Sequence, residues 1–565
     1  MKQRYRYIIL PIVLILMLGI WHHLRQFQPA VPLTPERPLH HTILLVPLDG
    51  RPPCRQFVID AGRIAGTRIE VPPSTIQDYY SQPGDTQGMR QWLSQNINNS
   101  QAVILSIDQL LYGGLLAARE KEVSPTEIDN LLQYLRELHA AHPGIPLYAF
   151  SILPRQTPQD TIDGYQERKD LLAYSRLKGR QAEGLPIDEQ ELSRLEQAIP
   201  ADSMTRYLAH FAENKQLNEA LIRLVHEGIL AQLVLGQDDG EPFSIPNIEK
   251  NELKEYLARQ NLPAGKVFLT HGADEIALSL LASIKNRQAG FCPRIFVHYN
   301  SPATPDRVMP YMAISTAETV HEKIALLGGQ ESNTPDAADF TLLVSTCNSD
   351  EDDMDSRAQT TAYLQAAHKK GQPVALVDLS KHFTAQETVL PLLLASDYPI
   401  NALDAYAGWN TTSNSIGTAL SQASLYEVSC QQAGSLTEMI GLTAANLTFL
   451  QNRLLEDYFY LKEDIDLVNQ TLQKAGYTNT ADLDLEHNYR WANRTLQRAM
   501  SEHLATYKNT RAFRQPVTFQ SPYGPFTLML QDMTADLSYP WPRTFEIWLQ
   551  TTPYFALPAS SEKNQ

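Results

Sequence analysis

From Thr42 onward, short β-branched apolar runs alternate with longer stretches whose apolar residues recur at helical spacing. Each run leads into polar residues. TILLVP (42–47) leads to Asp49, Gly50 and Arg51, AVILSI (102–107) to Asp108, and PLYAFSIL (146–153) to Arg155. AQLVLG (231–236) leads to Gln237, Asp238 and Asp239, and KVFLT (266–270) to His271, Asp274 and Glu275. RIFVHY (294–299) precedes Asn300, FTLLVS (340–345) precedes Asn348, PVALVDL (373–379) contains Asp378, and NALDAY (401–406) precedes Trp409 and Asn410. RIEV (68–71) is a weaker tenth run.

Continuous apolar runs separated by helices predict a mostly parallel sheet covered on both faces. In such sheets the loops at the carboxyl ends of the strands converge, so residues distant in sequence meet there. The expectation is an α/β protein with a barrel-like (TIM-type) core over 42–430. Ten runs exceed the eight of a plain barrel, so two belong to an inserted subdomain within 294–380, or the sheet is open and doubly wound. Residues 156–228 read as a helical insertion, 431–514 as a helical region, and 515–565 as a small β module and tail.

Before this core, Lys2, Arg4 and Arg6 precede the apolar run Ile8–Trp21. That is the layout of an export signal, and no small-residue cleavage site follows. Residues 1–27 therefore read as an uncleaved signal anchor with the bulk of the chain extracytoplasmic; cleavage to a secreted or periplasmic form is the alternative. The proline-containing segment 28–41 reads as a tether.

With 565 residues, 43% hydrophobic and 19% charged, the chain is neither disordered nor fibrous. Its formal charge of -16 repels phosphate backbones, which disfavours nucleic acid as a partner. The four cysteines lie far apart and form no CxxC pair, so neither a zinc ribbon nor a redox motif is expected. Phosphate-loop, HExxH, GxSxG and dinucleotide fingerprints are absent, and no cofactor or metal is expected. The acidic run 348–357 lacks the glycine and terminal glutamate of a calcium loop and reads as a solvated loop.

The candidate chemistry lies at the strand ends. Asp238 and Asp239 are adjacent carboxylates whose environments can differ, one ionised and one a proton donor, as glycoside hydrolysis requires. Glu275 is a third catalytic candidate, with Asp274 beside it for substrate hydroxyls; capping of the following helix is the plain alternative for both. Asp49 and Arg51 read as substrate-binding or as a buried pair, and Asp108 as a strand-end group near the Gly113-Gly114 step. Tyr112 and Trp409 offer stacking faces for a sugar or core packing. Asn410 and Asn414 offer uncharged amides suited to neutral polyols, or an ordinary helix cap. A metal-dependent hydrolysis through Asp49, Asp108 and Asp238 is a weaker alternative, since few histidines stand at strand ends.

Six segments, ILLVPLDGRPPC, SIDQLLYGGLLAAR, LVLGQDDGEPF, HGADE, YAGWNTTSNSIGTA and PWPRTFEIWL, resemble in order the bacterial family known as domain of unknown function 4127. The resemblance covers roughly residues 42 to 550 and brings no activity with it. The stretch NEALIRLVHEGILAQLVLGQDDGEPF is also similar to the catalytic region of barrel N-acetylglucosaminidases of the O-GlcNAcase type. That likeness implies that Asp238 orients a substrate acetamido group and Asp239 is the general acid/base, with Trp409-Asn410 paralleling a sugar-binding loop. The combined expectation is an exported glycosidase-like hydrolase acting on an amino sugar or envelope glycan. The alternative is a non-catalytic carbohydrate-binding or envelope-assembly protein.

Overall fold

Most of the ten apolar runs become strands because they are continuous β-branched or aliphatic segments that a sheet covered on both faces buries, whereas RIEV alternates, with Arg68 exposed. The computed structural model describes residues 31–33, 35–162 and 164–557. Within it the runs supply β2 (His41–Val46), β3 (Thr67–Glu70), β4 (Ala102–Ser106), β5 (Leu147–Leu153), β6 (Gln232–Gln237) and β7 (Val267–His271). They also supply β8 (Arg294–Tyr299), β10 (Phe340–Cys347), β11 (Val374–Ser380) and β12 (Ala405–Ala407). The one addition among the parallel strands is the short edge β9 (Gln330–Glu331).

The parallel strands divide between two sheets, with orders β3-β2-β4-β5-β6-β7 and β12-β11-β10-β8-β9. Among the described residues no pairing joins β3 to β7 or one sheet to the other, so the single barrel expected from the sequence is not what the strand pairing shows. The protein is a mixed α/β fold with parallel sheets. The division falls at residue 294, the start of the span predicted to hold an inserted unit.

Helix packing gives the physical reason. The helix Ile276–Ala289 follows β7 and is buried along nearly its whole length, from Ile276 to Asn286. Five of its aliphatic side chains, Ile276, Leu278, Leu280, Leu281 and Ile284, are almost fully buried, each contributing roughly 1.5–3 kcal/mol. It lies against β4 and β5 of the first sheet, while the helix Thr412–Gln432 lies against β10, β11 and β12 of the second. These two helices pack against each other between the sheets. Ser279 Oγ meets Ser421 Oγ at 3.2 Å, and Asn286 Nδ2 donates to Ser424 Oγ at 2.8 Å. Gly417 permits this approach: a Cβ there would run into the Glu275 side chain.

The helices Tyr165–Ala182, Glu189–Ala198 and Ala201–His226 form the helical insertion and enclose a separate small core around Leu171, Leu195 and Tyr207. The later helical region includes an 11-residue π-helical segment, Leu454–Asp464. At the C-terminal side an antiparallel sheet runs β1-β15-β14-β13, with β13 at Val517–Phe519, β14 at Phe526–Ser538 and β15 at Trp548–Leu557. Its edge strand β1 (Val31–Leu33) comes from the segment predicted to be a tether and pairs Val31 with Leu557. The predicted signal anchor lies outside the described residues. Among the described residues no helix is long and apolar enough to cross a membrane.

Candidate active site

The carboxyl ends of both parallel sheets face one cleft with a cavity of about 500 Å³, within the range of small-ligand sites. The first sheet contributes Arg51, Arg155, Gln237, Asp238, Asp239, His271, Gly272 and Asp274. The second contributes His382, Phe383, Thr384 and Asn410, with Tyr311 and Met312 from the loop after β8. Ser413 and Asn414 reach it from the first turn of the helix Thr412–Gln432. Lys462, Ile465 and Asp466 from the helical region, and Arg543 and Phe545 before β15, complete the wall.

The Asp-Asp pair occupies two different environments. Asp238 is buried, and its Oδ2 accepts from Arg119 Nε at 3.0 Å and also from the Arg119 terminal nitrogen. Its Oδ1 accepts the Asp239 backbone N–H at 2.9 Å. Burial alone would push the Asp238 carboxyl up, but the Arg119 guanidinium holds it below the usual carboxylate range. Asp239 accepts no comparable bond among the described residues. Burial and the neighbouring Asp238 charge push its carboxyl up to about 7. At neutral pH the cleft therefore holds one firmly ionised carboxylate beside one poised to carry a proton.

Beside this pair, Arg51 is clamped between carboxylates. Its Nε donates to Asp49 Oδ2 at 2.8 Å and a terminal nitrogen to Asp274 Oδ1 at 2.6 Å. Burial, opposed by Arg51 and reinforced by Asp49, sets the Asp274 carboxyl at about 6. Ligand atoms of Asp49, Cys54 and Asp274 lie within 4.8 Å of one another, the spacing of a small metal site. Arg51 donates to both carboxylates, so a cation already fills that position. His271 is locked, its Nδ1 on Glu322 Oε2 at 2.9 Å and its Nε2 beside Lys250 Nζ at 2.9 Å.

Of the residues singled out from sequence, Arg51, Asp238, Asp239, Asp274, Asn410 and Asn414 line the cleft. Asp49 stands behind them as the partner of Arg51. Four do not reach it as expected. Glu275 forms an ion pair with Lys323 in which each side chain is 1% exposed, so it lies between the packed helices and not in the cleft. Trp409 is 1% exposed and packs edge-on against Phe57 and Phe545, with no face free to stack on a sugar. Tyr112 is buried and donates to Glu213 Oε1 at 2.9 Å. Asp108 is fully enclosed and accepts the Ile152 N–H at 3.0 Å, tying β4 to β5; burial raises its carboxyl to about 7. Asp49, Asp108 and Asp238 are thus each committed to a different partner and form no common metal set.

The cleft also contains groups that patterning did not single out. Arg119 closes the segment 106–119, where only its distance from the strand end hid it. Arg155 stands just past the run PLYAFSIL, where a lone arginine indicated no role; Lys462 and Arg543 gave no local signal, because each reaches the cleft only through tertiary packing.

A family model described as "Protein of unknown function (DUF4127)" matches residues 43–550. No curated protein and no solved structure matches the chain.

Proposed function

The chain belongs to the DUF4127 family, whose description assigns no function, and we propose that its cleft is the active site of an exported glycosidase-like hydrolase acting on an amino sugar or envelope glycan. The observation that carries this reading is the unequal pairing of Asp238 and Asp239 at the wall of a ligand-sized cavity, the first held by Arg119 and the second by no ion pair among the described residues. Asp239 gives its proton to the glycosidic oxygen as the C–O bond breaks. Water then adds hydroxide to the anomeric carbon and returns a proton to Asp239. Asp238 stays ionised, keeps Asp239 protonated in the resting enzyme, and faces the positive charge that develops on the sugar.

The likeness to O-GlcNAcase-type enzymes gives Asp238 a further role, orienting an acetamido group. Both its oxygens already accept protein bonds, so the acetamide N–H would use a remaining lone pair. Asn410 and Asn414 supply amides for sugar hydroxyls. In each parallel sheet the second strand in sequence lies outside the first and the third lies on its other side. That order supports a doubly wound architecture, whose ligands bind outside the carboxyl ends where the order reverses. The N-terminal basic and apolar segment supports placement at the outer side of a membrane.

The test is release of reducing ends from aryl N-acetylglucosaminides and purified wall glycan. Turnover that Asp239→Asn abolishes in a folded protein supports the reading, and inactivity of the unaltered protein across the panel contradicts it. One observation favours the alternative of binding without turnover: Arg119 leaves Asp238 little freedom. Calorimetric binding that survives Asp239→Asn, with no sugar released by either protein, would select it.

A further inference from the structure

The cationic side chains around the cleft fall into two sets. Arg51, Arg119, Arg543 and His382 each have carboxylate partners: Asp49 and Asp274, Asp238, Glu546, and Asp350 with Glu387. Arg155 and Lys462 have none at ion-pair distance among the described residues; their neighbours act only as more distant charges.

Lys462 is the more unusual of the two. It is 7% exposed, yet lines the cavity. The carboxylates around it are engaged elsewhere. Asp378 accepts the Val389 N–H at 2.9 Å, Asp457 accepts from Gly408 N at 3.0 Å and Arg453 at 2.8 Å, and Glu387 accepts from Ser349 and His382. Among the described residues its compensating contact is the Phe383 ring, 5.0 Å from Nζ. A buried ammonium without a counterion is costly, and the cost is relieved when an anion enters. Lys462 lies on the π-helical segment 454–464, a local distortion often found at functional sites. Arg155 lines the same cavity just beyond β5, and among the described residues its Nε is buried and unpartnered.

We propose that the substrate is an acidic saccharide, with carboxylates that pair with Lys462 and Arg155 at the cleft. This rests on the reading of the cleft as a glycan site and replaces the neutral polyol expected from the sequence. A carboxylate fits better than a phosphate monoester, because Asp238, Asp239, Asp274 and Asp466 share the cavity and repel a dianion more strongly. Ser413 and Asn414, in the first turn of a 21-residue helix, place its positive end toward the same space.

The test uses the full protein carrying Asp239→Asn and calorimetry with two oligosaccharides of equal length. One is hyaluronan, which alternates N-acetylglucosamine with glucuronate; the other is chitin, which has N-acetylglucosamine alone. Hyaluronan is expected to bind roughly tenfold more tightly, as charge-assisted pairing implies. Lys462→Met or Arg155→Gln should each remove part of that preference, and the double variant nearly all of it. Equal affinities, or a preference that survives the double variant, would overturn the proposal while leaving the glycosidase reading intact. Hyaluronan bound with the expected preference but cleaved by no form of the protein would do the reverse. Displacement by inorganic phosphate and not by glucuronate would overturn the carboxylate assignment, and binding of neither oligosaccharide would overturn both ideas.

Discussion

Arg119 Nε donates to Asp238 Oδ2 at 3.0 Å, so a guanidinium neutralises one member of a carboxylate pair and leaves Asp239 next to it without an ion pair of its own among the described residues. The two chain neighbours consequently titrate far apart, as adjacent acids with separate tasks must. Removing the guanidinium should draw them together. In Arg119→Gln, Asp238 is expected to ionise at higher pH, which shifts the acidic limb of the activity profile upward. A profile of wall-glycan hydrolysis against pH for the two proteins checks this.

The alkaline side of that profile depends on Asp239. Its proton is lost near pH 7, so activity should decline as pH rises through about 7. Asp239→Asn should lower kcat by at least about a hundredfold, the usual contribution of a positioned acid. An unchanged kcat in the folded variant would remove Asp239 from the chemistry.

Stability offers a check that requires no substrate. The folded-state carboxyl of Asp239 titrates above its unfolded value of 3.8, so the protonated form favours folding. That contribution is fully present below pH 3.8 and is lost as pH rises through about 7. Asparagine remains neutral throughout. Asp239→Asn should therefore match the unaltered protein in Tm at the acid end, gain on it as pH rises, and hold a constant advantage above about pH 7. Calorimetric scans across that range measure the difference.

Glu275 and Lys323 are expected to behave as a structural pair. Glu275→Gln strands a buried ammonium and should cost about 3–5 kcal/mol, whereas Glu275→Leu with Lys323→Met should recover most of the loss. Denaturant unfolding of the three proteins tests this. Turnover per folded molecule should stay the same in all of them.

Trp409 is expected to act through packing. Trp409→Ala should destabilise by about 3–5 kcal/mol through the cavity it leaves against Phe57 and Phe545. Saccharide affinity of the folded Trp409→Phe variant should be unaffected, because the indole presents no face to the cleft. Loss of affinity with retained stability would restore it as a binding residue.

All ten apolar runs became parallel strands; for the central ones, burial on both faces demands an uninterrupted hydrophobic segment, which local sequence reports directly. The division into two sheets was less accessible. It depends on the helices Ile276–Ala289 and Thr412–Gln432 meeting between the sheets, a contact spanning more than a hundred residues. The convergence of Asp238, Asp274 and Asn410 followed from the shared direction of parallel strands. Whether a polar residue just beyond a strand turns into the cleft or away from it did not follow: Asp274 faces the cavity, while Glu275, one residue later, points between the helices. Lys462 was hidden for another reason. In π-helical geometry the side-chain period departs from that of an α-helix, so amphipathic spacing assigns its face incorrectly.

Difference infrared spectroscopy of the unaltered protein against Asp239→Asn, recorded across a pH titration, addresses the division of ionisation most directly. A protonated-carboxyl band that belongs to Asp239 and disappears near pH 7 is the expected result. A band already gone below about pH 5, where an ordinary carboxyl has ionised, would mean that Asp239 holds no proton to donate.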